Sequence, residues 1–436
     1  MGGIETSTPC PENDCAVRSS NSRSGLPMEN NVFLNANYQW AFYVTNTKYV
    51  DNEVNNDNQR WRRMRNRWYE TGAAYSKIDS IDGTPNPWLQ RWLKHPAYDT
   101  YWQRMVPYGT DFSNITIPVL SITGYYDDGQ ISAMQYVTEH YSYKPNAEHY
   151  VIIGPYDHFG AQQGGTPILR TYSVDPVALI DTKEITFAWL DYILKGGRKP
   201  ALLKDKINYE VMGANVWQHA PSIAKMSTTR LRLYLSDQKE GDNFRLSAQK
   251  PVVPSKLNQH VDLADRSTSN NDYYPDPIIK KSLDRSNGLF FISEPFDQEV
   301  SLNGMFSGEL KAIINKKDMD IGVVLYELTP QGEYFELSYF LGRASYARDA
   351  SRRHLLRPGV EETIPFSKTR LVSRQLSKGS RLLVVLNIDK NPFAQINYGT
   401  GKDVSLETIR DAGEPLTIQW LTDSFIDVPI QRNMGR

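Results

Sequence analysis

Two short segments concentrate the residue types that move protons. Gly124-Tyr125-Tyr126-Asp127-Asp128 closes one apolar run and Gly154-Pro155-Tyr156-Asp157-His158 closes another, placing His158 31 positions after Asp127. An imidazole works as a general base at one ring nitrogen when a carboxylate holds the proton on the other and stabilises the imidazolium that forms. If both runs are strands of one parallel sheet, their C-terminal ends line up along one edge, where ligands bind in open α/β folds. Asp127 and His158 are therefore the candidate acid and base. Asp128 and Asp157 read as polar turn residues. Carboxylates and imidazole also ligate metals, but nothing else in these segments closes a ligand set, so neither a metal nor a cofactor is expected. The other histidines, His95, His140, His149, His219, His260 and His354, have no acid at comparable spacing and are assigned structural or surface roles.

The elements that must position this pair are legible as periodicities. IPVLSITG (117–124) and HYVIIGP (149–155) are apolar without alternation, as strands covered on both faces are. Between them QISAMQYVTEHYSY sets Ile131, Met134, Val137 and Tyr141 on one helical face before Pro145, and KEITFAWLDYILKGG repeats the pattern with Ile185, Trp189 and Ile193 before Gly196 and Gly197. Strand, helix, strand predicts a parallel sheet with helices on both faces. Upstream, Trp61, Met64 and Trp68 recur at helical spacing in QRWRRMRNRWYE, and PWLQRWLK supplies a second aromatic helix, so this stretch reads as an aromatic helical lid. The arginines from Arg60 to Arg67 read as a solvated helix face rather than an anion site.

After Lys206 the pattern changes to strands. INYEVMG, TRLRLYLS, GLFFISEPF, VSLNGMFSGELKAIIN, IGVVLYEL, YFELSYFLG, RLLVVLNI and LTIQWL are separated by turn signals such as PQGE and SKGS. They predict a β-sandwich of jelly-roll kind. Residues 1–30 are rich in Ser, Asn, Gly and Pro, show neither period, and are expected to be a disordered or aberrant lead-in. Cys10 and Cys15 lie within them; a zinc site needs more ligands, and a small disulfide loop stays open.

Composition excludes several classes. Lys and Arg total 49 against 50 for Asp and Glu, so no global field draws the chain to nucleic acid or an anionic membrane. No run of eighteen apolar residues exists and MGGIETSTPC lacks the apolar core of a signal peptide, so no membrane partner is expected and the compartment stays open. Homo-oligomerisation also stays open. The fold class expected is α/β plus all-β.

The motifs IPVLSITGYYDDGQ, HYVIIGPYDHFGAQ, HPAYDTYWQRM, INYEVMGANVWQ and NPFAQINYGTGKDVS…DAGEPLTIQW, in this order, resemble the CocE/NonD hydrolases and Xaa-Pro dipeptidyl-peptidases over roughly residues 28–430. The resemblance implies a partial α/β-hydrolase core with a helical cap, a C-terminal jelly roll, and hydrolysis of a small-molecule ester, amide or peptide. By position Asp127 matches the triad acid and His158 the triad base. The implied boundaries are a lead-in at 1–30, a cap at 31–110, the C-terminal part of the hydrolase core at 111–204 and the jelly roll at 205–436. Amino-acid ester hydrolases of this family carry carboxylates two and three positions after the triad acid; here those positions are Gly129 and Gln130, which speaks against that substrate.

One expected part is missing. No G-x-S-x-G elbow occurs in the sequence, and Ser19, Ser20, Ser22 and Ser24 follow no strand that could present a nucleophile. The chain is accordingly expected to be N-terminally truncated and inactive as given, with a non-catalytic ligand- or partner-binding protein as the alternative.

Overall fold

The computed structural model describes residues 27–45, 52–270, 273–286 and 288–432. The expected lead-in, with Cys10, Cys15 and the serines from Ser19 to Ser24, falls almost wholly outside them. Its last residues depart from the expectation. Met28–Glu29 pairs antiparallel with Val32–Phe33, and all four side chains are buried. Asn30 and Asn31 make the turn with φ of 42° and 70°, a conformation that asparagine tolerates better than most residues. Composition alone missed this hairpin because its order comes from the sandwich beneath it: Arg343 N donates to Asn30 O, and Leu34 bridges to Ala394.

The cap is helical. Its longest helix, Asn58–Thr71, begins where the Asp57 carboxylate accepts from Arg60 N and ends at left-handed Gly72. Trp61, Met64 and Trp68 are buried along one face, as their spacing predicts. Tyr38 meets Trp61 edge-on at 6.0 Å and Trp68 meets Tyr75 at 5.3 Å. Gly72 has a second reason to be glycine: a Cβ there would stand 2.4 Å from Ile409 Cβ, against the sandwich. Among the arginines, Arg62, Arg63 and Arg67 are exposed, whereas Arg60 turns back to grip Asp82 through two nitrogens at 2.8 and 2.6 Å.

Strands Val119–Gly124 and His149–Gly154 are parallel neighbours in register, Val119 opposite His149 and Gly124 opposite Gly154. Val151 and Ile153 are buried in the same cluster as Met134 and Val137 of helix Gln130–Tyr143, while Leu120, Ile122, Tyr150 and Ile152 form a separate cluster with Trp189 of helix Thr182–Lys195. This two-sided cover explains the unbroken apolar runs. The sheet then continues further than expected. Ile207–Val211 pairs in parallel with the His149 strand, and Val216–Ala220 returns antiparallel beside it. Strand pairing thus runs across the boundary expected at 205. Ile207–Val211 is buried throughout and carries no mark of which sheet it joins, so only pairing decides.

The rest is all-β. Fourteen described strands, from Thr229–Glu240 to Phe425–Arg432, form one hydrogen-bonded system, antiparallel except where Asn243–Ser247 runs parallel to Leu289–Ile292. VSLNGMFSGELKAIIN is two strands rather than one, broken at Gly304 with φ 130°. Asp320–Leu328 and Arg381–Ile388 lie side by side and are covered on both faces, Val323, Leu325, Val384 and Leu386 on one, Val324, Tyr326, Leu383 and Val385 on the other with Val32 of the N-terminal hairpin. The two units are joined through backbone: Met212 N donates to Ser373 O and Gln375 N to Met212 O. Among the described residues no helix is long and apolar enough to cross a membrane.

Candidate active site

The in-register pair of strands ends at Gly124 and Gly154, and both chains turn immediately beyond. Tyr126 N donates to Tyr156 O at 3.1 Å, binding the two turns together. That approach requires glycine: a Cβ on Gly124 would lie 1.9 Å from Tyr156 O. Three residues further on, Asp127 stands in front of the other turn. Its Oδ2 accepts from Thr123 Oγ1 at 2.9 Å, and its Oδ1 accepts from Gly129 N at 2.9 Å and faces His158 Nδ1 at 3.0 Å. His158 opens helix His158–Gln163, whose N-cap is Asp157, accepting from Gly160 N at 2.8 Å. Asp157 is thus occupied by capping. The Asp127 side chain is 8% exposed and the His158 side chain 55%. His158 Nε2 makes no hydrogen bond among the described residues, so the outer ring nitrogen is free to exchange a proton.

The electrostatics follow from this geometry. The hydrogen bond to Asp127 raises the His158 pKa above the ordinary value against the opposing effect of burial, helped by the charges of Asp127, Asp128 and Asp157. Burial pushes the Asp127 carboxyl up, but the His158 hydrogen bond and charge, with the Gly129 N–H, outweigh it and leave the pKa lowered. Asp128 moves the other way: burial and the adjacent Asp127 charge raise it. Ligand atoms of Asp127, Asp128 and His158 lie within 4.8 Å of one another. Their short contacts are those of N–H donors placed between carboxylate acceptors, and the Arg370 cation lies behind them, so no metal is assigned.

The sandwich supports the acid's loop, which the sequence reading missed. Arg370 donates through Nη1 to the backbone oxygen of Asp127 and through Nη2 to Glu29 Oε1 at 3.1 Å; Tyr339 hydroxyl also donates to Glu29 Oε1 at 3.1 Å. All three side chains are buried. Gln130 locks the same loop from its other side, donating to Leu371 O at 2.8 Å and accepting from Leu371 N at 2.8 Å. Arg370 is 243 positions from Asp127 and 341 from Glu29, so no local pattern joins them. The position that could have raised a question is Gln130, a polar residue on the apolar side of its helix.

The other histidines do not reach this site. His95 pairs with Asp99 at 2.7 Å, an acid four positions on, and stacks on Tyr101 at 4.2 Å. His219 hydrogen-bonds Asn208 at 2.8 Å, and buried His140 and His149 contact each other beneath the sheet.

Comparison with known proteins agrees with this architecture. Residues 15–160 match the family model of X-Pro dipeptidyl-peptidase (S15 family), and residues 203–418 match that of the X-Pro dipeptidyl-peptidase C-terminal non-catalytic domain. The search of the curated proteins returns no match. Among solved structures the chain is similar to an aminopeptidase from a marine sediment archaeon, Thaumarchaeota archaeon, at 16% identity and TM-score 0.75, covering 95% of this chain and 71% of that one. It is also similar to an alpha-amino acid ester hydrolase labelled with selenomethionine, at 16% identity and TM-score 0.69, covering 94% and 71%. A CocE/NonD family hydrolase from Staphylococcus aureus follows at 16% identity and TM-score 0.55, covering 82% and 62%. At these identities the likeness is one of fold: an α/β-hydrolase-like unit followed by an all-β domain.

Proposed function

Since the chain belongs to the X-Pro dipeptidyl-peptidase (S15) family of serine hydrolases, we propose that Asp127 and His158 are the acid and base of an acyl-transfer site for ester, amide or peptide substrates. The observation that carries this reading is the 3.0 Å contact between Asp127 Oδ1 and His158 Nδ1 at adjacent strand ends. Asp127 keeps the ring proton on Nδ1. Nε2 then accepts the proton of an attacking hydroxyl and returns it to the leaving group; in the second half it takes a proton from water, which releases the acyl group.

The nucleophile is the part this sequence does not supply. It contains no G-x-S-x-G, and no serine hydrogen-bonds His158 among the described residues. Without a hydroxyl to deprotonate, the pair activates at most a water molecule. The backbone N–H that follows the serine of such an elbow, one donor of an oxyanion hole, is missing with it, and losing one such donor costs a further factor of about 10²–10³. The chain by itself is therefore expected to hydrolyse esters near the buffer rate.

Two measurements on the purified chain test this. Fluorophosphonate labelling and p-nitrophenyl ester turnover should both stay at background; labelling, with turnover abolished in His158→Ala, would identify a serine of this chain as nucleophile and overturn that part. The ¹⁵N shifts of the His158 ring should report a proton on Nδ1 that moves toward Nε2 in Asp127→Ala. An Nε2–H ring in the unaltered chain would overturn the acid–base pair.

A further inference from the structure

We infer that Asp128 is a second positioning carboxylate for His158, standing at ion-pair distance from Nδ1 beside Asp127; this rests on the acid–base reading of the same site. Asp128 Oδ1 lies 3.4 Å from His158 Nδ1, against 3.0 Å for Asp127 Oδ1. Gly129 N donates to the same two oxygens, at 2.9 Å to Asp127 Oδ1 and 3.1 Å to Asp128 Oδ1. The Gly129 N–H is thus shared by both acids, and His158 Nδ1, hydrogen-bonded to Asp127 Oδ1, has Asp128 Oδ1 at ion-pair distance beside it. The arrangement places two carboxylates side by side, which is unfavourable unless a positive charge or a shared proton lies between them. An imidazolium at His158 meets that need.

The two acids are held differently. Asp127 is tied by Thr123, Gly129 and His158, and its backbone by Arg370, and its side chain is almost fully buried. The Asp128 side chain is 44% exposed, and Gly129 and His158 are the partners that orient it. Asp127 is therefore the fixed acceptor and Asp128 the adjustable one. The charged and titratable groups facing this pair are Asp157 from the helix of His158, Arg370 from the loop before strand Val372–Leu376, Glu29 from the N-terminal hairpin, and the Tyr274 hydroxyl from the loop before strand Ile279–Lys280. Burial and the Asp127 charge hold the Asp128 carboxyl above the usual carboxylate range, so it gains its charge later than Asp127 as pH rises. When it does, the imidazolium is bracketed by two negative charges and its proton is held more tightly. His158 and Asp128 then titrate as a coupled set.

The test reads His158 directly, by NMR titration of its imidazole in the purified full chain, with circular dichroism showing that each variant is folded. Asp128→Asn and Asp128→Ser should each lower the His158 midpoint by about 0.5–1 pH unit, and Asp127→Asn should lower it further. A residue that only shaped the turn would leave the midpoint where it was, and an unchanged midpoint in both Asp128 variants overturns the inference. The two readings fail separately. A midpoint in the unaltered chain at or below that of free histidine would remove the Asp127–His158 pair itself. An elevated midpoint that ignores Asp128 would remove only its partner.

Discussion

The two halves of this molecule treat buried charge in opposite ways. In the sandwich nearly every buried ion is matched. Arg343 meets Asp320 through two nitrogens at 2.8 Å, with Gln395 and Asn397 completing the set, and both side chains are 1% exposed. Arg353 meets Asp318 at 2.8 Å and Arg374 meets Glu327 at 2.5 Å. In the four-stranded sheet that carries the site, buried titratable groups stand beside their own kind. His140 and His149 approach through their Nδ1 atoms at 3.1 Å, while His149 Nε2 contacts Ser121 Oγ at 2.8 Å and His140 Nε2 contacts Ile115 O at 3.3 Å. One proton arrangement satisfies all three contacts, with both rings neutral. Burial and the neighbouring His140 push His149 down to about 3. Glu210, on strand Ile207–Val211, has no hydrogen-bond partner for either carboxyl oxygen among the described residues, and burial beside Asp175 pushes it up to about 9.

The consequence is a division of labour in pH response. An unfolded histidine binds a proton below about pH 6.5 that folded His149 refuses down to about 3, so acid weakens the sheet across that interval. Unfolded Glu210 ionises near 4.5 while the folded group keeps its proton up to about 9, so rising pH weakens the sheet from the other side. The matched ions of the sandwich instead make it intolerant of losing one partner.

Three substitutions would break or sharpen this contrast. The largest effect is expected from Arg343→Ala, which strands the Asp320 carboxylate in the sandwich and should cost about 3–5 kcal/mol in urea unfolding. A loss below about 1 kcal/mol would mean that the pair is not holding the sandwich together. Next, Glu210→Gln should stabilise the chain by about 1–3 kcal/mol at pH 7, since folding no longer has to take up a proton. The gain should shrink as pH falls to 4.5 and vanish below it, where the unfolded glutamate is protonated as well, and a gain independent of pH would place its origin elsewhere. The smallest is Asp427→Asn. Its partner Arg232 is bidentate, at 2.8 and 2.6 Å, but the Arg232 side chain is 48% exposed, so the change in unfolding free energy should stay below about 1 kcal/mol and fade in salt.

What could be read from the sequence alone is what depends on near neighbours. The spacing of Trp61, Met64 and Trp68 carries a helix, because a buried stripe must repeat with the turn. IPVLSITG and HYVIIGP carry strands covered on both faces, and the acid and imidazole just beyond their glycines carry the site, because parallel strands end together. Tertiary structure decided whatever is set by partners distant in the chain. INYEVMG reads as a strand of either unit, and only the fold shows that it pairs with His149–Gly154 at its start and meets the sandwich at Met212. Order in Met28–Glu29 depends on Arg343 and Arg370, far along the chain. The role of Gln130 appears only with Leu371 beside it. Asp127 and His158 could be named because chemistry concentrates in short motifs; Arg370 and Glu29 could not, because a buried charge is intelligible only with its counterpart in place.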